Sequence, residues 1–153
     1  MVLLEVVVIL GLVGAVLALI TARPAHPSAP YREELERIQR ALAEIQKRGR
    51  TPSPTLRAHV TEARRMARTL ERLARKGREV RRFLARGRLD PEAKARLEAY
   101  QHEIERKLQE GVRILERLAA ELLIWEGPEA PEGFAGLEDF RVSLSEVLKE
   151  RPR

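Results

Sequence analysis

The sequence predicts an all-α protein: a single N-terminal transmembrane helix followed by a small helical bundle with a long antiparallel coiled-coil hairpin. Three observations lead there. A charge-free apolar run fills Val6 to Ala22. From Tyr31 onward, apolar residues return at alternating spacings of three and four, the period of a helix face. With 34% charged and 4% aromatic residues, packing on Leu, Ile and Ala is favoured over a β-sandwich.

The first element is the anchor, residues 1–22. "VVVILGLVGAVLALITA" together with the preceding "MVLLE" makes 22 residues, about 33 Å of helix, against a bilayer core of about 30 Å. No basic n-region precedes the run and no A-x-A triplet follows it, so a retained span is expected rather than a cleaved signal peptide. Glu5 lies near the start, where a carboxylate can reach the headgroups. Arg23, Arg32, Arg37 and Arg40 follow the span and no base precedes it, which places the bulk of the chain in the cytoplasm, at the cell membrane. Gly11, Ala15, Ala18 and Ala22 form a stripe of small residues that would let a second copy pack closely as a homodimer.

Residues 23–30 form a spacer. Pro24, Pro27 and Pro30 recur every third residue, which favours an extended polyproline-like connection. His26 is expected to be solvated there.

Residues 31–125 carry the bundle and hairpin. Tyr31, Leu35, Ile38, Leu42 and Ile45 give a first helix, ended by Gly49, Pro52 and Pro54. Leu56, Val60, Ala63, Ala67, Leu70, Ala74, Gly77, Val80 and Leu84 give a second, stopping at Gly87. Asp90 as N-cap and Pro91 at the first helical position start a third, whose seam runs through Leu97, Tyr100, Ile104, Leu108, Leu115, Leu118, Leu122 and Trp125. Val112, Ile114, Ala119, Leu123 and Ile124 widen the apolar face of its second half, which calls for several covering neighbours. From about residue 71 to 107 a single narrow seam predicts a bare two-helix arm. If the first helix runs antiparallel to the second, the lengths carry the arm's tip about 25 Å past the first helix's start.

Residues 126–153 comprise an acidic linker and a C-terminal amphipathic helix, for which Ser143 and Glu146 suggest a capping box.

Little here points to chemistry. There is no Cys, hence no disulfide framework or thiolate metal site. His59 with Glu62, and His102 with Glu98 and Glu105, do not match the Glu-x-x-His pattern of di-iron bundles. Neither a phosphate-binding glycine loop nor a nucleophile elbow occurs, and the expectation is no enzyme, no cofactor and no metal. The lack of Asn and the excess of Arg over Lys suggest a thermophilic bacterium with GC-rich coding.

Charge is the remaining signal. Residues 53–88 hold twelve Lys or Arg against three Glu, a net of +9, whereas residues 126–139 hold five acids and no base. Arg75, Lys76, Arg78, Arg81, Arg82, Arg86 and Arg88 crowd the hairpin tip and are the candidate contact for anionic lipid or an acidic protein. Nucleic acid is the less favoured partner, because stacking aromatics and a reading motif are missing. No family resemblance goes beyond shared architecture: an ATP synthase b-type stalk also pairs an N-terminal span with charged helix, but the breaks at Pro24 to Pro30 and Gly49 to Pro54 argue against a continuous stalk. The expected role is a membrane-anchored cytoplasmic scaffold or adaptor; the alternative is a membrane-tethered nucleic-acid-binding protein.

Overall fold

The structure, a computed structural model, describes residues 29–50, 53–125 and 131–149. The expected span, its small-residue stripe Gly11, Ala15, Ala18 and Ala22, and most of the spacer lie outside these residues. Among the described residues, no helix is long and apolar enough to cross a membrane.

Tyr31–Arg153 forms one compact unit. Its helices are α1 (Arg32–Arg48), α2 (Pro54–Arg86), α3 (Pro91–Ile124) and α4 (Leu137–Lys149), with a 3₁₀ turn at Glu132–Phe134 before the last. The start of α3 follows the expected chemistry, and α2 starts by the same chemistry, although Pro54 is expected only as a break after the first helix. Ser53 Oγ accepts from the Leu56 amide, with Pro54 behind it. Asp90 accepts from the amides of Glu92 (3.1 Å) and Ala93 (3.2 Å), with Pro91 at the first helical position. Both arrangements satisfy amides that a helix N-terminus leaves without intrahelical partners.

The α2–α3 hairpin is the spine. α1 runs antiparallel to α2: Tyr31 lies against Gly77, Gln39 donates to Glu71, and Gly49 lies beside Val60. It is pinned to α3 by a two-pronged ion pair, Arg37 Nε and Nη2 donating at 2.8 and 2.7 Å to Glu116. α4 packs chiefly on α2 and touches α3, with Arg141 paired to Glu62 and Tyr100 donating to the Val147 carbonyl at 2.8 Å. The core between the helices is closed by Ile38, Ile45, Leu56, Met66, Leu70, Leu73, Ile104, Leu108, Leu115, Leu118 and Leu144, all fully buried. No charged residue is buried among the described residues. The core of Tyr31–Arg153 is therefore closed by its own side chains.

Three expectations are corrected. The bare arm is shorter than the 71–107 expected, because Tyr31 of α1 and Val147 of α4 reach the hairpin at Gly77 and Tyr100. Only about residues 81–99, with no buried side chain, extend beyond them. α4 begins at Leu137, well before the suggested capping box. Gly136 takes a left-handed φ of 80°, and its carbonyl accepts the Phe140 amide, opening the helix there. Ser143, placed mid-helix, donates to the Phe140 carbonyl and accepts from Lys107. Finally, Leu123 and Ile124 are 57% and 80% exposed. The chain folds back one turn earlier, where the Gly133 amide donates to Glu121 at 2.9 Å, so Leu122 is still buried but Leu123 and Ile124 get little cover from the described residues.

Candidate functional site: the basic hairpin tip

The tip is set by local chemistry. α2 ends at Gly87, whose extended backbone lies so close to Leu89 that a Cβ would stand 2.8 Å from the Leu89 Cγ. Asp90 then restarts the chain as α3. Arg86 in the last turn of α2 faces the negative end of that helix's dipole, a favourable placement for a cation.

The seven predicted basic residues do not form one patch. Arg75, Arg82, Arg86 and Arg88 are exposed, Arg78 is half-exposed, and none of the five makes an ion pair with a described residue. Lys76 is partly neutralised by Glu79 at 3.7 Å. Arg81 turns away to α1, its guanidinium carbon 6.0 Å from the centre of the Tyr31 ring, a cation–π contact. Four members, Arg75, Arg78, Arg82 and Arg86, are three or four residues apart and share the outward face.

Sequence reasoning missed two features at this end. Phe83 is 55% exposed between Arg82 and the next turn; its signal was its position one residue off the α2 seam. The other is a small polar cluster under the arm. The Tyr31 hydroxyl donates to Glu105 at 3.2 Å, and Gln101 donates to the same carboxylate at 2.9 Å. Burial, reinforced by the Glu105 charge and hydrogen bond, pushes the Tyr31 phenol up to about 12. No sequence period announces this cluster, because Tyr31, ahead of α1, and Glu105 of α3 lie 74 residues apart.

The two histidines among the described residues sit apart from the tip. His59 stacks obliquely on Phe134, ring centres 5.2 Å apart, and His102 is exposed 3.8 Å from Glu105. Among the described residues, no three potential ligands converge on a metal position. No family model, curated protein or solved structure matches this chain.

Proposed function

We propose that the protein is a membrane-anchored, cytoplasm-facing helical scaffold or adaptor whose hairpin tip makes a second, electrostatic contact with the anionic leaflet. The observation that carries this reading is where the chain joins the bundle. Tyr31, its first residue, lies against Gly77, nine residues before the end of α2 at Arg86. The tip therefore extends about 14 Å beyond it, less than the 25 Å expected from lengths alone. The eight residues 23–30 that follow the expected span reach about 25 Å when extended. A bundle hung from such an anchor can bring its unpaired tip arginines to the surface from which the chain emerges. Each would contribute about 1 kcal/mol there.

The same arginines support the alternative, a membrane-tethered nucleic-acid binder, since phosphate contacts need no reading motif. A fragment of residues 31–153 separates the two. It should bind vesicles containing phosphatidylserine and not pure phosphatidylcholine, with binding lost in high salt and on changing Arg81, Arg82, Arg86 and Arg88 to Gln. A salt-sensitive mobility shift with DNA or RNA, and no vesicle binding, would replace this reading by the alternative.

A further inference from the structure

The unpaired charge does not stop at the tip. Arg64, Arg68, Arg72, Arg75, Arg82 and Arg86 follow one another at steps of four, four, three, seven and four residues, which keeps them on one face of α2 in a line about 33 Å long. All six are exposed, and none has an ion-pair partner among the described residues. Many exposed arginines elsewhere do have partners: Arg32 with Glu36, Arg96 with Glu92, Arg106 with Glu103, Arg117 with Glu121. The three acids of α2 are engaged off this line, Glu62 with Arg65 and Arg141, Glu71 with Gln39, and Glu79 with Lys76. Like charges four apart on a helix repel, so the line weakens the fold it sits on. Among the described residues it has no counter-charge, and it is open to an external one.

We propose that this whole outer face of α2, and not the tip alone, is the lipid-contacting surface, so that the bundle lies with α2 along an anionic bilayer. The inference rests on the membrane reading above. Shape favours a bilayer over a duplex. A straight row of this length meets a plane at every residue, whereas a nucleic-acid backbone winds a full turn in about 34 Å and leaves the row between its crossings. Phe83 favours it too: an exposed aromatic beside Arg82 and Arg86 suits the boundary between headgroups and acyl chains, with cations on the phosphates around it.

The test uses the fragment of residues 31–153, whose core is closed by its own side chains, on vesicles of phosphatidylserine and phosphatidylcholine. An arginine-selective glyoxal reagent, read by mass spectrometry, should find Arg64, Arg68 and Arg72 protected as fully as Arg82 and Arg86, with exposed Arg113 of α3 still reactive. Changing Arg64, Arg68 and Arg72 to Gln, with the tip intact, should weaken vesicle binding about a hundredfold; circular dichroism melting would verify that the variant is folded. Vesicle binding with protection confined to the tip, or undiminished binding by the folded variant, would overturn this inference and leave the tip contact standing. Absence of any vesicle binding would overturn both, as would protection of the line by nucleic acid alone.

Discussion

Tyr31 shows how much one residue carries. It precedes α1 in a left-handed conformation, φ 69°, which side chains with a Cβ rarely adopt, and its side chain makes no capping hydrogen bond. Its ring is held instead by tertiary structure: Gly77 behind it, Glu105 accepting its hydrogen bond, Arg81 over its face. The hydroxyl gives a titration that can be read. An unfolded chain releases this proton near pH 10 and the folded protein near 12. The hydrogen-bonded phenol therefore supports the fold in full below pH 10, and that support drains away as pH rises toward 12. Melting temperatures measured across pH 9 to 12 should fall for the parent protein, and the fall should be shallower for Tyr31→Phe. Parallel curves would show that the phenol is not the group responsible. Nothing local in the sequence marks Tyr31 for this role; periodicity identified only its place on the α1 seam.

Whole helices were easier to read than their contacts. The start of α3 was legible in Asp90 and Pro91, because capping is short-range chemistry. Ser53 and Pro54 carry the same signal for α2, but Pro54 reads equally as a break after α1, the only role expected of it. α4 was misplaced at its start because Ser143 and Glu146 satisfy the same pattern mid-helix, and only Gly136 at positive φ marks the true beginning. The approach of α1 to α2 depends on Gly77. A Cβ there would stand 2.8 Å from the Tyr31 ring and 2.9 Å from its hydroxyl. Alanine would add about 1 kcal/mol of helix propensity, while overpacking against a rigid ring costs about 1–3 kcal/mol. Gly77→Ala should therefore destabilise by about 1 kcal/mol in urea unfolding. In a Tyr31→Ala background the sign should reverse, since the ring is gone and propensity remains. A destabilisation that persists without the ring would mean that the cost at Gly77 does not come from Tyr31.

At the scale of the molecule, charge is distributed by partnership. α1 and α3 are laced by pairs such as Arg37 with Glu116, where the guanidinium's hydrogen bonds hold the carboxyl below its usual range, while the arginine line on α2 has none among the described residues. The all-α bundle could be read from the sequence because hydrophobic periodicity is a property of each helix alone. The division of the tip was hidden, because whether an arginine is free depends on what another helix brings beside it, as Tyr31 does for Arg81. If the line on α2 is strained by self-repulsion, changing Arg68, Arg72 and Arg82 to Gln should raise stability at low salt by a few tenths to about 1 kcal/mol. The gain should vanish in high salt. A loss of stability at low salt would mean the arginine stems shield the core beneath them. There is also a mechanical side to the placement of Tyr31 and Val147. The chain joins the bundle at Gly77, and its last described helix ends near Tyr100, which is the same level of the hairpin. Tension between these two points would peel α1 and α4 from the spine one turn at a time, as a zipper opens, instead of shearing all their contacts at once. The α2–α3 hairpin lies outside that load path and would be the last part to yield.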